Sequence, residues 1–297
     1  MNKIKIGYFA DGPWSHKAFE KIIADSTIDV QFIVPRTDTN DLTLKQYSEK
    51  YRIEYLHPVK INSLEFMEQA KTYNCDLFVS MSFNQIFKKN IINLPKHKTI
   101  NCHAGKLPFY RGRNILNWAL INDEKEFGIT VHYIDEGIDT GDIILQRAFP
   151  ISDEDDYNTL LEVAYIECAN ILYDAIKQIQ NNKVESISQN TIHSVGFYCG
   201  KRVVGDEIIN WNQSSRDIFN FIRSICRPGP KSTTYFGGKE VKINSSKLIA
   251  DAIAYKGKPG QILVKTTNGY FIKTLDSFIE ILDVESEIKL KVGEVLK

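Results

Sequence analysis

Two side chains that can act together on a carbonyl group lie one residue apart in the stretch INCHAGKLPFYRGRN, residues 100–114. Asn101 carries an amide that donates hydrogen bonds, and His103 carries an imidazole that can accept or release a proton near neutral pH. Because successive side chains of a strand point to opposite faces, Asn101 and His103 share one face of a predicted strand. The pair is suited to stabilising a carbonyl oxygen that gains negative charge while an amine attacks.

An acidic loop further along the chain offers a partner for this histidine. A catalytic histidine usually has a carboxylate that orients it, and the stretch DEGIDTGD, residues 135–142, supplies four acids. The glycines of this loop let its backbone approach a ligand closely. The residue types alone leave open which acid is the partner. The four acids are Asp135, Glu136, Asp139 and Asp142.

The elements that must position these residues alternate between strands and helices. Apolar runs predict strands, and the amphipathic segments between them predict helices. Alternation of this kind is typical of a doubly wound, mostly parallel sheet, whose ligands bind at the carboxyl ends of the strands. The loop ADGPWS and the Asn101–His103 stretch are both expected at such ends. One helix is predicted to begin at Asn62, with Glu65 completing a capping box. The strands are predicted at residues 4–10, 28–34, 76–82 and 98–104.

The composition changes in the last third of the chain. GITVHYID and GDIILQRAF predict two strands that flank the acidic loop, and a long amphipathic helix follows them. Beyond it, short strands are separated by the turn-forming stretches FGG, NSS, KGKPG and TTNG. This pattern predicts a small β-rich, OB-like domain. We therefore predict a catalytic domain at residues 1–204 and a smaller β-rich domain at residues 205–297.

Composition and charge exclude several classes of protein. The 37 Lys and Arg residues balance 37 Asp and Glu residues, so no overall field attracts nucleic acid or a membrane. The sequence has no apolar run of about 18 residues, so no membrane span is predicted. The start MNKIKIGYFADG does not resemble a secretory signal. Five cysteines without a CxxC pair suit a reducing compartment, so a cytoplasmic protein is expected. The remaining histidines lack metal-ligand spacing and are predicted to be structural, with no metal expected: His16, His57, His97, His132 and His193.

The two motifs together resemble the folate-dependent formyltransferases, a family that includes enzymes acting on glycinamide ribonucleotide, methionyl-tRNA and nucleotide sugars. The family pattern is Asn-x-His, then Leu-Pro and usually Arg-Gly, then an Asp in a loop of the form Asp-x-Gly-hydrophobic-Asp-x-Gly. The resemblance places the catalytic trio on Asn101, His103 and Asp139, because Asp139 alone of the four acids precedes Thr-Gly. It implies that Asn101 donates to the oxyanion, His103 takes up the amine's proton and Asp139 orients the histidine.

The resemblance also implies where the substrates bind. The formyl donor would be 10-formyltetrahydrofolate, with its pterin near residues 81–87 and the acidic loop. The donor contacts are expected at Met81, Phe83, Ile86, Gly137 and Asp142. The loop after the first strand is expected to contact substrate phosphate or sugar through Asp11, Gly12, Trp14 and Ser15. Three basic residues extend the predicted substrate site, Lys106, Arg111 and Arg113. Lys106 suits a diphosphate, whereas the two arginines are either phosphate ligands or solvated charges at a helix start.

Within the family, the stretch RGRNILNWALIND is most similar to enzymes that formylate 4-amino sugars carried on nucleotides. Two departures stand out. Gly105 and Lys106 replace the Ser-Leu that many relatives have beyond the histidine, and RPGPKSTTY replaces a stretch closer to Pro-x-Pro-Gly-Ala. The expected function is transfer of a formyl group to a nucleotide-linked 4-amino-4,6-dideoxyhexose, with thymidine diphosphate as carrier, for a surface polysaccharide such as lipopolysaccharide O-antigen. A homodimer is expected by the same resemblance, with neither nucleic acid nor membrane as a partner.

Two other functions stay open. The first is a methionyl-tRNA formyltransferase, which would need a basic surface because phosphate contacts dominate such affinity. Residues 201–297 hold 16 Lys and Arg residues against 11 Asp and Glu residues, a mildly basic balance that does not favour RNA binding. The second is a non-catalytic folate-binding protein. The presence of all three residues of the trio speaks against it.

Overall fold

A seven-stranded sheet forms the centre of the amino-terminal part of the molecule, in a computed structural model that describes residues 3–297. Its strands are β1 (Ile4–Ala10), β2 (Ile28–Val34), β3 (Glu54–Tyr55), β4 (Leu77–Met81), β5 (Thr99–His103), β7 (Glu126–Tyr133) and β8 (Ile143–Pro150). A short strand outside this sheet, β6 (Arg111–Gly112), follows β5 in the chain. The order across the sheet is β3-β2-β1-β4-β5-β7-β8. Strands β1 to β5 pair in parallel, whereas β7 runs antiparallel to β5. The predicted mostly parallel, doubly wound sheet is confirmed.

Helices connect these strands. Within residues 3–297 they are α1 (Gly12–Ile23), α2 (Thr43–Tyr51), α3 (Leu64–Thr72), α4 (Lys89–Ile92), α5 (Ile115–Ile121), α6 (Tyr157–Gln180), α7 (Gln189–Ile192) and α8 (Ser215–Ser224). The cap predicted for α3 was wrong by one residue. Ser63 is the N-cap, and its hydroxyl accepts from the backbone N–H of Phe66. The Asn62 side chain instead accepts from the N–H of Lys88 and donates to the carbonyl of Ile86.

The central strands are buried on both faces. In β1, the side chains of Tyr8 and Phe9 are both fully buried, as expected for a parallel strand with helices on either side. Phe9 packs edge-on against several other aromatic rings, including Phe78 of β4. This packing fixes β1 and β4 side by side. Their carboxyl ends, and that of the neighbouring β5, therefore lie along one edge of the sheet, where the predicted binding loops begin.

The carboxyl-terminal part is a separate antiparallel sheet. Its strands are β10 (Ser232–Phe236), β11 (Lys239–Leu248), β12 (Ile262–Lys265), β13 (Gly269–Lys273) and β14 (Phe278–Ser286), and a further short strand, β9 (Tyr198–Cys199), pairs with β6. The strand order is β10-β11-β14-β13-β12. The chain's last residues join the two edges: Glu294 accepts from Ile262 of β12, and Lys297 exchanges two backbone hydrogen bonds with Tyr235 of β10. The sheet is thus closed on itself around an apolar core, in agreement with the predicted β-rich, OB-like domain.

The chain packs into two compact units that are not continuous in sequence. One contains the chain up to Gly112, Phe127–Phe149 and Glu162–Cys199; the other contains Arg113–Glu126, Pro150–Leu161 and Gly200–Lys297. A boundary at residues 204 and 205 stays a prediction. No helix in residues 3–297 combines the length and apolar character needed to cross a membrane. Within the same residues, no three His, Cys, Asp or Glu side chains are grouped to hold a metal ion.

Candidate active site

Strand β5 carries the Asn-x-His pair. Its backbone is hydrogen-bonded on one side to β4 and on the other to β7, so the positions of Asn101 and His103 are fixed by two neighbouring strands. Asn101 is half-buried and His103 is 8% exposed. The two residues are two apart in an extended strand, which places their side chains on the same face. The pairing that the sequence predicts is therefore available to a ligand at the end of β5.

A backbone carbonyl holds the His103 ring. Its Nε2 lies 2.7 Å from the carbonyl oxygen of Tyr110, and because a carbonyl only accepts, Nε2 carries the proton that it donates. The space between these atoms is tight: a Cβ on Gly105 would lie 2.4 Å from both. The sequence predicts that Asp139 orients the ring, but the orienting hydrogen bond goes to Tyr110. Nδ1 of His103 is left as the atom that faces Asp139.

Asp139 lies between two histidines. One carboxylate oxygen, Oδ2, accepts from the N–H of Gly112 at 2.9 Å and lies 3.6 Å from Nδ1 of His103. The other, Oδ1, lies 3.5 Å from Nε2 of His132. The side chain is 12% exposed. Burial would raise the pKa of the Asp139 carboxyl, but the charges of His103 and His132 and the N–H of Gly112 outweigh burial and hold this pKa well below its usual value. Asp139 is therefore a carboxylate at neutral pH.

The other acids of the loop have different positions. The carboxylate of Asp135 accepts from the N–H of Gly137 and from the hydroxyl of Thr140, so it folds the loop on itself. Glu136 and Asp142 are exposed. Of the alternatives that the residue types left open, Asp139 is the acid that the loop brings to His103.

His132 also belongs to this cluster, although it was predicted to be structural. It lies opposite Asn101 in the antiparallel pairing of β5 and β7, and its Nε2 is 3.3 Å from Nδ2 of Asn101. Its Nδ1 donates to the carbonyl of Tyr133 at 2.7 Å, so in the neutral ring Nε2 accepts from Asn101. The signal in the sequence is a histidine at an alternating position of the strand before the acidic loop. The strand register that places His132 opposite Asn101 cannot be predicted from the spacing of residues in the sequence.

The segment predicted to contact the donor contains both buried and exposed side chains. Met81 is buried against the Tyr8 hydroxyl, and Phe83 packs on the aromatic core, so these two could meet a ligand mainly through backbone atoms. Ile86 is 61% exposed. Between them, Oδ1 of Asn84 and Nε2 of Gln85 are buried without a hydrogen-bond partner.

The acidic loop adds exposed groups to the predicted donor site. Gly137 and Asp142 are both exposed, as is Ile138 at 53%. A glycine is required at position 137, because a Cβ there would lie 2.1 Å from the hydroxyl oxygen of Thr140. Ile138 is not among the donor contacts predicted from the sequence. A large exposed apolar side chain in an otherwise polar loop is the signal that identifies it.

The loop after β1 holds the predicted acceptor contacts. Asp11 is buried, and its carboxylate accepts from the Thr39 hydroxyl at 2.8 Å. Gly12 has a φ of 71°, and Trp14 is half-buried with its ring edge-on to that of Tyr165 at 4.8 Å. Ser15 is fully buried and its hydroxyl donates to the carbonyl of Gly12, so the predicted contact of Ser15 with substrate would have to use backbone atoms and stays a prediction.

The three basic residues differ in how they are held. Lys106 is exposed, and its aliphatic stem packs on Gly128, where a Cβ would lie 2.6 Å from the Lys106 Cβ. The guanidinium of Arg111 is half-buried and donates twice to the side-chain oxygen of Gln189, at 3.2 and 2.7 Å. Arg113 is exposed. Arg111 is thus part of the protein's internal hydrogen bonding, and Lys106 and Arg113 are the basic groups that face solvent.

Both parts of the chain match known protein families. Residues 26–176 match the formyl transferase family, and residues 203–295 match the formyl transferase C-terminal domain. The methionyl-tRNA formyltransferase of Pelotomaculum thermopropionicum is 33% identical over 86% of this chain and 80% of its own. The bifunctional polymyxin resistance protein ArnA of Wigglesworthia glossinidia brevipalpis is 32% identical over 82% of this chain and 36% of its own. The crystal structure of an N-formyltransferase from Helicobacter canadensis, in complex with folinic acid and dTDP-3-aminofucose, shares the fold, with a TM-score of 0.73 at 24% identity over 95% of this chain and 100% of its own.

Proposed function

Because the chain belongs to the formyl transferase family, whose formyl donor is 10-formyltetrahydrofolate, we propose that it formylates the amine of a nucleotide-linked 4-amino-4,6-dideoxyhexose. The carrier in this proposal is thymidine diphosphate, and the product serves a surface polysaccharide. The observation that carries the proposed chemistry is the grouping of Asn101, His103 and Asp139 at the end of β5. The finer proposal, the sugar acceptor, rests on the loop that begins at Arg111 and on the charge pattern of the carboxyl-terminal unit.

Asn101 has the role of holding the formyl oxygen. The donor supplies a formyl group on nitrogen, whose oxygen gains negative charge as an amine attacks the carbon. The Asn101 amide has two N–H groups, and His132 can accept from only one of them. The other N–H can therefore stabilise the oxygen, a contribution worth on the order of 100-fold or more in rate.

His103 has the role of taking up the proton of the attacking amine. Its Nε2 is engaged by Tyr110, so Nδ1 is the atom at which this proton is received. The ring then carries a positive charge, which the Asp139 carboxylate stabilises from 3.6 Å. The separation is longer than a hydrogen bond, so a water or a small movement of the ring can complete the contact when substrates are bound. When the bond between the formyl carbon and the folate nitrogen breaks, the ring gives the proton it took from the amine to the departing nitrogen, so tetrahydrofolate leaves and the histidine is neutral again.

Features of the predicted donor segments fit a folate. Its pteridine ring is flat, apolar on its faces and rich in hydrogen-bonding groups at its edge. The unpaired buried atoms of Asn84 and Gln85 offer an acceptor and a donor for such an edge. The exposed side chains of Ile86 and Ile138 offer apolar contact for the faces.

The carboxyl-terminal unit supports a small acceptor. Several of the basic side chains between residues 227 and 242 are paired with nearby acids. Nη2 of Arg227 lies 3.0 Å from Oε1 of Glu285, and Nζ of Lys231 lies 2.6 Å from the same oxygen. Lys239 pairs likewise with Glu287 at 3.4 Å. Such pairing reduces the positive field that an RNA backbone would require.

We also propose a cytoplasmic homodimer, the state expected for the nucleotide-sugar branch.

A methionyl-tRNA acceptor is the second candidate. One of the two relatives compared by sequence above is a methionyl-tRNA formyltransferase, which is 33% identical over most of both chains. This similarity favours the tRNA acceptor, whereas the paired charges and the RGRNILNWALIND loop favour the sugar.

An acceptor screen decides between the two candidates. Release of tetrahydrofolate from 10-formyltetrahydrofolate would be followed with dTDP-, UDP- and GDP-linked 4-amino sugars and with methionyl-tRNA. Turnover on one nucleotide sugar is the expected result. Turnover on methionyl-tRNA alone would replace the sugar proposal and assign RNA binding to the carboxyl-terminal unit. Folate binding without turnover on any acceptor would point to the non-catalytic function or to an acceptor of another class.

A further inference from the structure

Gln189, a residue that the sequence motifs do not include, lies against the acidic loop. It is the first residue of α7 and only 2% exposed. Its Nε2 donates to two carbonyl oxygens of the loop, those of Asp139 and Gly141, each at 2.8 Å. Its Oε1 accepts from Nε and Nη2 of Arg111. The buried amide therefore uses both of its N–H groups and both acceptor positions of its oxygen.

These contacts complete a closed path of hydrogen bonds around the Asp139 carboxylate. The carboxylate accepts from the N–H of Gly112, the next residue after Arg111. The Arg111 side chain donates to Gln189, and Gln189 returns to the carbonyl of Asp139. Both ends of Asp139 are thereby fixed, its carboxylate by Gly112 and its backbone by Gln189.

The loop needs this support at Asp139. The residue has a φ of 54°, in the left-handed region that non-glycine residues rarely adopt. Such a conformation persists only where surrounding contacts determine it. The neighbouring Gly141 also lies close to the protein, since a Cβ there would be 1.9 Å from the carbonyl oxygen of Tyr133. The two hydrogen bonds from Gln189 go to these two residues.

We propose that Gln189 is a positioning residue for formyl transfer, which acts by holding Asp139 at its place beside His103. The inference rests on the role proposed above for Asp139. Gln189 does not itself contact the reacting atoms. Its removal should lower kcat and leave the KM for the acceptor nearly unchanged, because the predicted acceptor contacts in the loop after β1 lie outside the acidic loop; the KM for the donor should rise less than kcat falls.

The chemistry of the side chain provides a sharp test. In Gln189→Glu the shape and the contact with Arg111 are kept, but the two N–H donors are lost and a carboxylate faces the carbonyls of Asp139 and Gly141. In Gln189→Met the shape is kept without any polar group. The matched control is Gln180→Ala, which removes a glutamine whose amide also donates to a backbone carbonyl, that of Thr27.

The experiment is a double-mutant cycle with Asp139→Asn in the 297-residue chain. We expect Gln189→Glu to lower kcat about 10- to 100-fold in the wild type and less than about twofold when Asp139 is already asparagine. Gln180→Ala should change kcat by less than about twofold in both backgrounds. Equal losses in the two backgrounds, an unchanged kcat, or a rise in KM alone would overturn the proposal. So would failure of both Gln189 variants to fold, since Gln189 would then be a stability residue.

A second measurement separates this inference from the proposed function. Amide hydrogen exchange needs no acceptor, so it can be measured even if no substrate is turned over. Exchange in residues 134–142 should be faster in Gln189→Glu than in the wild type, with exchange in β1 unchanged. Unchanged exchange in residues 134–142 would overturn the positioning role. A wild-type protein without activity, together with faster exchange in the variant, would reject the proposed function and retain the structural part of the inference.

Discussion

Two buried ionisable groups, His103 in the amino-terminal sheet and Lys273 in the carboxyl-terminal sheet, have opposite surroundings. Lys273 is 0% exposed, and its ammonium donates to the carbonyls of Thr274 and Ser277 at 2.8 and 3.1 Å. The ring of Tyr255 covers the same ammonium at 4.3 Å. His103 has one nitrogen bound to a carbonyl, while the other lies 3.6 Å from Asp139, beyond hydrogen-bonding distance. The protein satisfies the hydrogen-bonding capacity of the lysine, whereas Nδ1 of the histidine has no hydrogen bond.

Perturbed pKa values do not distinguish these two clusters. Burial lowers the pKa of the Lys273 ammonium, with Asp276 opposing the change. The pKa of the Asp139 carboxyl is also lowered, although burial alone would raise it. Both clusters thus contain a shifted group, as structural and functional sites alike can. What separates them is whether the protein leaves a polar atom without a hydrogen bond, as it does Nδ1 of His103.

The largest effect on kcat is expected when Nδ1 of His103, the ring nitrogen without a hydrogen bond, is removed. His103→Ala should lower kcat about 1,000-fold, because the proton acceptor for the amine is removed. The free energy of unfolding should also fall, by about 1–3 kcal/mol, because the buried carbonyl of Tyr110 loses its donor; kinetics are therefore measured where urea titration shows the variant to be folded. Steady-state kinetics with the acceptor identified by the screen measures the loss of kcat. The exposed His57 provides the control, since His57→Ala should stay within about twofold of the wild type. A loss below about tenfold in His103→Ala would remove His103 from the proton transfer.

A smaller loss is expected when His103 is kept but displaced. In Gly105→Ala the new methyl group would lie 2.4 Å from both Nε2 of His103 and the Tyr110 carbonyl oxygen. The ring must therefore move, and a displacement of about 1 Å can cost on the order of 100-fold in kcat. Gly200→Ala is the matched control, because no atom lies within 4 Å of a Cβ at that position. Equal kinetics for the two variants would show that the Tyr110 contact does not position the ring.

The sequence predicts the elements better than it predicts their ends. The alternation of apolar runs and amphipathic segments is local, so the strand β2 and the long helix α6 could be recognised from the sequence. The start of α3 could not, since Asn62 and Ser63 are both good N-caps and tertiary contacts decide between them. Ser63 caps the helix because Asn62 is engaged by the segment around Ile86 and Lys88.

The residues of the candidate site also differ in whether the sequence could predict them. Asn101, His103 and Asp139 could be selected because they belong to two short motifs whose residue types carry the chemistry. His132 and Gln189 could not be selected, because their roles depend on a strand register and on a contact between residues 50 apart in sequence. The carbonyl of Tyr110 is invisible to any pattern of side chains. What the sequence omits is the long-range hydrogen bonding that holds the trio in place.

The charge of Asp139 should appear in the pH dependence of stability. Its pKa is lower in the folded protein than in the unfolded chain, so its stabilising contribution is present above about pH 4 and is lost as the pH falls towards the folded-state value. Asp139→Asn should lower the free energy of unfolding at pH 7 by about 2 kcal/mol, the usual range for hydrogen bonds to a charged group. The difference between the two proteins should shrink below about pH 4. Urea titrations between pH 7 and pH 3.5 measure it, and a difference that vanishes by pH 6 would mean that the folded-state pKa is raised.

The smallest effect is expected at the fully engaged lysine. Lys273→Met keeps the apolar stem but removes the ammonium, leaving the carbonyls of Thr274 and Ser277 without their donor. That loss is partly offset because burial disfavours the charge, as the lowered pKa of Lys273 indicates. We expect the free energy of unfolding to fall by about 1 kcal/mol and kcat to stay within about twofold of the wild type. Lys265→Met, at an exposed position of β12, should change stability by less than about 0.5 kcal/mol. A large loss of kcat with normal stability in Lys273→Met would place Lys273 among the functional residues. Whether the protein satisfies all the hydrogen bonds of a buried group would then not distinguish a structural cluster from a functional one.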